Sequence, residues 1–139
     1  MEVISDKIKF KTKGGTDIID ITTMVDKAVQ SGSINSGIVT LFVPGATGAV
    51  TTIEYEPGLV LDLKEFVEKI IPEKGAYNHN LSHSDCNGHA HIRASLFGPS
   101  LVLPFTNKKL LLGIWQHLIF VDFDNRPRER EVILQLMGD

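Results

Sequence analysis

The stretch that decides the fold covers residues 38–72 and reads IVTLFVPGATGAVTTIEYEPGLVLDLKEFVEKIIP. Its first part, Ile38–Val43, is a continuous run rich in β-branched, aliphatic and aromatic residues, which is typical of a buried strand. Pro44-Gly45 interrupts this run, because proline cannot donate a ladder hydrogen bond and glycine favours turns. A second strand is expected over Ala49–Tyr55, where β-branched residues resume. The first part therefore predicts two neighbouring strands of a sheet.

The second part of the stretch predicts an amphipathic helix between Pro57-Gly58 and Pro72. Proline is favoured in the first turn of a helix and breaks it further along, so the two prolines mark its limits. The apolar residues share one face of this helix: Leu59, Leu63, Phe66, Val67, Ile70 and Ile71. A helix with one apolar face beside buried strands is expected to pack on their sheet.

The rest of the chain adds another helix and further strands. Ile4–Lys13 alternates apolar residues with lysines in its centre, which predicts a half-buried strand. A short strand near Asp17–Ile19 leads into a helix over Ile21–Val29. Asp20 is expected to cap the start of this helix and Gly32 to end it. Four more strands are predicted over Leu101–Phe105, Leu110–Leu112, Ile114–Phe123 and Glu131–Met137, the last two joined by a hairpin turn at Asp124–Pro127.

These elements predict an α+β fold in which mostly antiparallel sheets form layers with two main helices. No change in composition divides the chain, so residues 1–139 are expected to form a single domain. A net charge of −3 argues against binding to nucleic acid or an anionic membrane by bulk electrostatics. No apolar run approaches the roughly 20 residues of a membrane span. The single cysteine and a start without a secretory apolar segment favour a cytoplasmic protein.

The segment Glu73–Asn87 is polar and has almost no apolar periodicity. Long connections of this kind are uncommon in compact domains and are often functional. Asp85, Cys86 and Asn87 contribute a carboxylate, a thiol and an amide to it. Four of the five histidines lie in this segment or just after it: His79, His83, His89 and His91. This mixture of donors is what borderline divalent ions such as zinc prefer.

The backbone conformation decides how many of these histidines can meet. His89 and His91 share a face if the backbone is extended, but they lie on different sides of a helix. We expect a short third helix over Ala90–Phe97 that carries Ala94 and Leu96 inward. The chain has no Cys-x-x-Cys pair, which favours an open catalytic site for zinc or magnesium over a closed structural one. A hydrogen-bonded polar loop without a metal is the alternative.

Four motifs give the chain a resemblance to a known family. Tyr77-Asn78-His79-Asn80 precedes Asp85-Cys86-Asn87-Gly88-His89-Ala90-His91, and Gly98-Pro99-Ser100 precedes Leu112-Gly113-Ile114-Trp115-Gln116. In this order they resemble the YjbQ-like family, whose members are described as uncharacterised proteins or as a secondary thiamine-phosphate synthase. The resemblance extends over essentially the whole chain. It implies a compact α+β unit that assembles as a homotrimer, with a metal-containing pocket close to a subunit boundary.

The chain departs from the family pattern at one polar position. Many members carry His-Thr-Thr-Ala after the proline of the first strand pair, whereas the histidine expected near Gly45 is absent here. Glu54 matches the glutamate that follows in the family. Ile114 replaces a threonine, and Asn125 stands in place of the glycine of an Asp-Gly turn. Any role that requires the missing histidine is therefore in question.

The resemblance implies a reaction that joins a pyrimidine methyl diphosphate to a thiazole phosphate and expels diphosphate. A divalent ion and basic side chains would neutralise the leaving group. The expected metal ligands are His79, His83, His89 and His91, and the expected catalytic residues are Glu54 and Asp85. The candidate substrate-binding residues are Asn87, Ser100, Trp115, Gln116, Arg128 and Arg130. The predicted partner is a small phosphorylated metabolite.

Several of these assignments have a plainer alternative. Arg128 and Arg130 are two residues apart on one strand face, where they can bind phosphate or simply form a solvated edge beside Glu129 and Glu131. Trp115 is expected to share a strand face with His117, either stacking on a heterocycle or lying at the rim of the core.

Two other functions are open at this point. One is a metal-dependent hydrolase of a small metabolite, in which Glu54 or Asp85 acts as the base. The other is a trimer that binds a metal or a metabolite without catalysis, which the absent histidine near Gly45 favours. Sequence alone does not separate these functions from the synthase.

Overall fold

The computed structural model describes all residues from 1 to 139 and confirms a mixed α+β fold. Two antiparallel sheets and four helices make up the chain. In chain order the elements are β1 (Glu2–Thr12), β2 (Asp17–Asp20), α1 (Thr22–Ser31), β3 (Gly37–Phe42), β4 (Gly48–Ile53), α2 (Pro57–Ile70), α3 (His79–Ser82), α4 (Gly88–Phe97), β5 (Ser100–Thr106), β6 (Lys109–Leu110), β7 (His117–Asp122) and β8 (Arg128–Gly138).

The first hydrophobic core lies between the two sheets. One sheet has five strands in the order β1-β8-β3-β5-β6, and the other has three in the order β2-β7-β4. The long strands β1 and β8 pair along their whole length, from Glu2 opposite Gly138 to Thr12 opposite Arg128. Buried residues from both sheets and from α1 fill this core, among them Ile21, Val25, Val29, Val39, Leu41, Val50, Leu118, Phe120, Leu134 and Leu136.

Strand β7 is buried on both faces and joins the first core to a second one. Its alternate residues Leu118 and Phe120 point into the first core, whereas Ile119 and Val121 point into the second. The second core lies between the three-stranded sheet and helices α2 and α4, and also contains Ala49, Val67, Ala90, Ala94 and Phe123. A strand covered on both sides requires a continuous apolar run, which β7 has.

Strand β7 begins later than the sequence predicted. We expected it to start at Ile114, but it starts at His117, so Trp115 does not share a strand face with His117. The Gln116 side-chain oxygen accepts a hydrogen bond from the Gly113 N–H at 3.1 Å, and the Gln116 N–H donates to the Gly113 carbonyl. These bonds close a turn where a strand was expected. Two other strands also differ, because the one predicted over Leu110–Leu112 covers only Lys109–Leu110 and the last begins at Arg128.

Helix α1 ends at Gly32 as predicted, but Asp20 is not its formal cap. Ile21 occupies the cap position and has no side chain that can accept a hydrogen bond. Asp20 lies one residue earlier, and its Oδ1 accepts a hydrogen bond from the Thr22 N–H at 3.0 Å. Asp20 therefore still satisfies a backbone group in the first turn of the helix.

Helix α2 begins at Pro57 as predicted. The carboxylate of Glu56 caps its first turn by accepting two backbone N–H hydrogen bonds at 2.7 and 2.8 Å. The predicted apolar face is divided, because Val67 is buried whereas Phe66 and Ile70 are 60% and 55% exposed. None of the helices is long and apolar enough to cross a membrane.

The polar segment is not a single loop, since the short helix α3 lies within it. The third predicted helix is present as α4, which begins at Gly88 and ends at Phe97. Ala94 packs inward as expected. The prediction for Leu96 is wrong, because this side chain is 69% exposed. Residues two apart lie on nearly opposite sides of a helix, so Ala94 and Leu96 cannot both face the core.

Candidate functional site

Three of the four clustered histidines come together at α3 and the first turn of α4. The rings of His79 and His83 stack with centroids 4.2 Å apart and planes only 7° from parallel. The ring of His91 lies 4.7 Å from that of His79 at 58°. We call His79, His83 and His91 the histidine trio. Its members are partly or fully exposed, so the trio faces solvent.

His89 lies apart from the trio, because α4 directs His89 and His91 to different sides. The side chain of His89 is buried, and its Nδ1 has no hydrogen-bond partner. Burial lowers the pKa of His89, and the positive charge of Arg93 lowers it further. The helical spacing thus brings three of the four predicted metal ligands together and encloses the fourth among interior residues.

The donor chemistry of the trio suits a borderline divalent ion. Asp85 Oδ1 lies 4.0 Å from His79 Nε2, so a carboxylate accompanies the three imidazoles. No three of the His, Cys, Asp and Glu side chains are arranged around a common point as metal ligands. Side-chain rotation within the trio is therefore needed before it holds an ion.

A network of two buried aspartates and two arginines adjoins the trio. Asp122 ends β7 and Asp124 follows it, and their side chains are 0% and 2% exposed. Arg130 Nε and Nη2 donate to the two carboxylate oxygens of Asp122 at 2.8 and 2.9 Å. Arg128 Nε and Nη2 donate to Asp124 Oδ2 at 3.1 and 2.7 Å. The two arginines are thus anchored to buried carboxylates, with 32% and 15% of the Arg128 and Arg130 side chains exposed.

Hydroxyl and amide groups complete this network. Thr12 donates to Asp122 Oδ2 at 2.6 Å, and Arg130 Nη2 also donates to the Thr47 hydroxyl at 2.7 Å. The Asp124 N–H donates to Asp122 Oδ1 at 3.0 Å. Nε and Nη2 of both arginines are engaged, while neither Nη1 donates to any group in the chain. Each guanidinium therefore has a fixed orientation and one free edge.

Asn87 links this network to the histidine trio. Its Nδ2 donates to Asp124 Oδ1 at 3.3 Å, and its Oδ1 lies 3.0 Å from His79 Nε2. The orientation of the Asn87 amide is assigned from the hydrogen bond to Asp124. Because an amide oxygen only accepts, His79 Nε2 carries the ring proton and Nδ1 keeps the lone pair. The network thus fixes the tautomer of His79 and leaves Nδ1 as a base or a ligand.

Asp124 stays ionised at the centre of this network. Burial alone would raise the pKa of its carboxyl group. Hydrogen bonds from Arg128, from the Asn125 N–H and from Asn87 outweigh burial, and the pKa lies below its ordinary value. The negative charge of the Asp124 carboxylate holds Arg128 in place.

An open depression of about 460 Å³ lies beside Arg130. Residues of β1 and β8 line it: Lys9, Phe10, Lys11, Glu129, Arg130 and Glu131. Gly45 adjoins the same arginine, since a Cβ atom at this position would lie 3.7 Å from Arg130 Nη1. Where the family resemblance leads one to expect a histidine, this chain therefore leaves open space in front of the free guanidinium edge.

The other predicted site residues lie away from this network. Trp115 and Gln116 precede β7, and Glu54 follows β4, so all three lie at the end of the three-stranded sheet opposite Asp122. A strand of this length separates its two ends by about 17 Å. Ser100 begins β5 and is exposed. Within one chain, the predicted residues thus form two separate groups.

Sequence reasoning missed the two buried aspartates. A signal for them exists, because Asp122 and Asp124 lie two residues apart before the last turn, and Arg128 and Arg130 lie two apart after it. Side chains two apart on a strand share a face, so each pair presents its charges in one direction. The hairpin expected at Asp124–Pro127 is wrong, because β7 and β8 belong to different sheets, and the two aspartates meet the two arginines between those sheets. The hydrophobic pattern alone places the aspartates only at a strand end and in a turn.

Arg93 is a second buried charge that the sequence did not reveal. Its side chain is 4% exposed and donates to the Thr16 hydroxyl at 2.9 Å and to the Ile71 carbonyl at 2.9 and 2.6 Å. It also forms an ion pair with Glu68 at 2.7 Å. Arg93 therefore fixes the end of α2, and the start of the polar segment, to helix α4.

Residues 6–139 match the model of the family described as UPF0047 protein YjbQ-like. The chain belongs to this family. Among its YjbQ-like relatives, a UPF0047 protein of Archaeoglobus fulgidus is 39% identical over 131 residues, which cover 94% of this chain and 99% of that protein. The UPF0047 protein YugU of Bacillus subtilis is 31% identical over 133 residues, covering 94% and 97% of the two chains.

Solved structures of YjbQ-like proteins share the whole fold. A YbjQ-like protein of unknown function from Sulfolobus solfataricus has a TM-score of 0.93 and 31% identity, with 99% of each chain covered. A hypothetical protein from Aeropyrum pernix has a TM-score of 0.90 and 34% identity over 100% of both chains. These descriptions confirm the family and specify no reaction, ligand or partner.

Proposed function

We propose that this chain binds a small phosphorylated metabolite at Arg128 and Arg130. The proposal rests on the free Nη1 edges of two guanidinium groups whose other nitrogens are held by buried carboxylates. Arginine N–H groups bind phosphate oxygens through charge-assisted hydrogen bonds. A guanidinium that is already fixed loses little side-chain entropy when the ligand binds. The depression beside Arg130, about 460 Å³, has the size of a small-molecule site.

The arginine edges, rather than the surrounding lysines, would carry the phosphate. Lys9 and Lys11 line the same depression, but each lies opposite a glutamate on β8, Glu131 and Glu129 respectively. Cross-strand pairs of opposite charge largely cancel at a distance. The Nη1 groups have no acceptor in the chain, so they are free to donate the directional bonds that a phosphate needs.

For the reaction we infer a secondary thiamine-phosphate synthase, the activity that the family resemblance implies. The C–O bond between the pyrimidine methylene and the diphosphate breaks, and diphosphate leaves with the bonding electrons. The thiazole nitrogen uses its lone pair to form the new C–N bond, so these bond changes transfer no proton. Arg128 and Arg130 would stabilise the negative charge that develops on the leaving diphosphate.

We further propose that the histidine trio holds a divalent ion, with Asp85 in a supporting position on the Nε2 side of His79. The support is the donor chemistry and the contact between the three rings. When bound, such an ion supplies positive charge to phosphate oxygens. The protein's own contribution is to fix the proton of His79 on Nε2 through Asn87, which leaves Nδ1 as the donor atom. Metal content and zinc titration test this independently of turnover.

One observation favours hydrolysis of a phosphorylated metabolite as a second candidate function. The hydrogen-bonded series Asp124, Asn87 and His79 leaves His79 Nδ1 free to take a proton from water. The resulting hydroxide attacks phosphorus, the bond to the alcohol oxygen breaks, and His79 returns the proton to that oxygen. Release of inorganic phosphate in the absence of the thiazole acceptor distinguishes hydrolysis from the synthase reaction.

The outer face of the five-stranded sheet supports assembly of several copies of the chain. Val3, Ile38, Phe42, Val102 and Met137 lie on this face, and each is 39% exposed or more. The register places Val3, Met137 and Ile38 side by side. Contiguous exposed apolar patches mark association surfaces. We propose that this face forms the homotrimer that the resemblance implies, so Val102→Lys is expected to reduce a trimer to monomers in light scattering.

The synthase is tested by product formation from the two phosphorylated substrates, comparing the native chain with Arg130→Lys. Lysine keeps a positive charge for Asp122 but has no second edge for the phosphate, so we expect turnover to fall at least about tenfold. Arg126→Lys is the matched control, because Arg126 is exposed and its side chain has no partner in the chain. Equal turnover in both variants contradicts phosphate binding by Arg130.

A further inference from the structure

A second group of polar and aromatic side chains lies at the end of β7 opposite the arginines. His117, the one histidine outside the cluster, begins β7, and its Nδ1 lies 2.8 Å from Asp20 Oδ2. The other oxygen, Asp20 Oδ1, accepts hydrogen bonds from the Thr22 N–H at 3.0 Å and the Thr22 hydroxyl at 2.6 Å. The Leu118 N–H donates to the same hydroxyl at 2.9 Å. Both oxygens of Asp20 are thus engaged.

This arrangement fixes the tautomer of the neutral His117 ring. Asp20 is a carboxylate, since hydrogen bonds from Thr22 and His117 outweigh burial and lower its pKa. A carboxylate only accepts hydrogen bonds, so His117 Nδ1 carries the proton. Nε2 then presents a lone pair, and it has no partner in the chain although the side chain is only 41% exposed. The pair is therefore an oriented hydrogen-bond acceptor and base.

Two aromatic residues lie near this acceptor, one in space and one in sequence. The ring of Tyr55 lies 6.2 Å from that of His117, and its hydroxyl donates to the Ile18 carbonyl at 3.0 Å, which fixes the ring. Trp115 precedes His117 by two residues and is 68% exposed. Gln116 holds the turn that carries Trp115 by bonding to Gly113 and to Thr52. Large aromatic side chains held at a surface in this way provide stacking area at little entropic cost.

We propose that Asp20, His117, Tyr55 and Trp115 form a second ligand site, which binds a planar nitrogen heterocycle with an amino group. The amino group donates a hydrogen bond to His117 Nε2, and the ring stacks on the exposed aromatic face. This site lies about 17 Å along β7 from Asp122. The site is therefore expected to bind a ring whether or not the ligand carries a phosphate. This second site is distinct from the phosphate site proposed at the arginines.

Trp115 is the only tryptophan in the chain, so its fluorescence reports on this site. The probes are adenosine and cytidine, which have an amino group and no phosphate, with N6,N6-dimethyladenosine as the analogue without an amino N–H. We expect a saturable change in Trp115 emission with at least one of the two nucleosides. For adenosine we expect binding about three- to tenfold weaker after N6-dimethylation, the ratio expected for one lost hydrogen bond.

Asp20→Asn tests the tautomer. The Thr22 N–H needs the asparagine oxygen, so the asparagine NH₂ faces His117 Nδ1 and moves the ring proton to Nε2. Nε2 then repels an amino donor, and we expect about tenfold weaker binding of the nucleoside, with the change in ring protonation visible in ¹⁵N spectra of His117. Asp62→Asn, at an exposed helical carboxylate, is the matched control.

Two results would overturn this proposal. One is that neither nucleoside produces a saturable change in the native chain at millimolar concentration, a measurement that needs no variant. The other is equal affinity in the Asp20→Asn and Asp62→Asn chains while the ¹⁵N spectra report a moved proton. Arg130→Lys is expected to leave nucleoside binding unchanged, so failure of this site and failure of the phosphate site are distinguishable.

Discussion

Replacing Asp124 by asparagine is expected to lower the free energy of unfolding by about 2–3 kcal/mol. Asp124 Oδ2 accepts two N–H groups of Arg128, and Oδ1 accepts the Asn125 N–H at 2.9 Å and one from Asn87. Asparagine replaces one oxygen by an NH₂ group. In either orientation of the amide, donors then face donors, and the charge that balances Arg128 is lost.

The magnitude follows from the bonds that are lost and from their exposure. A hydrogen bond to a charged group contributes about 1.5–3 kcal/mol, and breaking a fully buried ion pair costs about 3–5 kcal/mol. The Arg128 side chain is 32% exposed, so water replaces part of the hydrogen bonding that Arg128 loses. The expected loss of about 2–3 kcal/mol therefore lies below the range for a fully buried ion pair. At about 4 °C per kcal/mol for a chain of this size, the Tm falls by roughly 8–12 °C.

Chemical denaturation at several pH values is the assay. The pKa of Asp124 is depressed in the folded chain, because bonds from Arg128, Asn125 and Asn87 outweigh the effect of burial. Its stabilisation is therefore fully present above the ordinary carboxyl value of about 3.8 and is lost as the pH falls below that value. Asp124→Asn removes this part of the acid dependence. If the free energy of unfolding of the variant lies within about 0.5 kcal/mol of the native value and its dependence on acid pH is unchanged, Asp124 does not stabilise the fold as proposed.

Three further predictions concern other parts of the molecule. Arg93→Met is expected to lower the free energy of unfolding by about 1–3 kcal/mol, because the Ile71 carbonyl loses its buried donor. Denaturation measures this loss, and a value under about 0.5 kcal/mol contradicts it. Hydrogen exchange in residues 71–88 should accelerate in the same variant, and unchanged exchange shows that Arg93 does not hold this segment. Zinc titration followed by elemental analysis should give about one ion per chain. The His79→Ala variant is expected to lose zinc binding, whereas the His89→Ala variant is expected to keep it. Loss of zinc binding in both variants contradicts the separation of His89 from the trio.

The layered fold could be predicted because its signals are local. The prolines at positions 57 and 72 limit helix α2, and the continuous apolar run over 118–121 identifies a strand buried on both faces. The start of β7 could not be predicted, since it depends on the side chain of Gln116 folding back onto Gly113. Patterns of hydrophobicity do not encode such a contact.

The candidate site was only half predictable for a similar reason. The density of histidines identifies the segment, but the start of α4 at Gly88 decides that His89 turns inward while His91 meets His79. The partners of Arg128 and Arg130 are set by pairing across a turn, which brings Asp122 and Asp124 beneath them. Residue types indicated phosphate chemistry, whereas the buried carboxylates that orient the arginines required the tertiary structure.

The central claim is that the free edge of Arg130 binds phosphate oxygens in the space beside Gly45. Calorimetric titration of inorganic diphosphate at physiological salt tests this most directly, comparing the native chain with Gly45→Leu. A Cβ atom at position 45 lies 3.7 Å from Arg130 Nη1 and meets no other atom within 4 Å, so the leucine side chain is expected to occupy the space beside this edge of the guanidinium. Gly113→Leu, where the new Cβ meets only Gln116 at 3.7 Å, is the control. We expect diphosphate to bind the native and control chains with similar affinity. Its affinity for the Gly45→Leu chain is expected to be at least about tenfold lower. Equal affinity in all three chains, or no binding to the native chain, contradicts the proposed phosphate site.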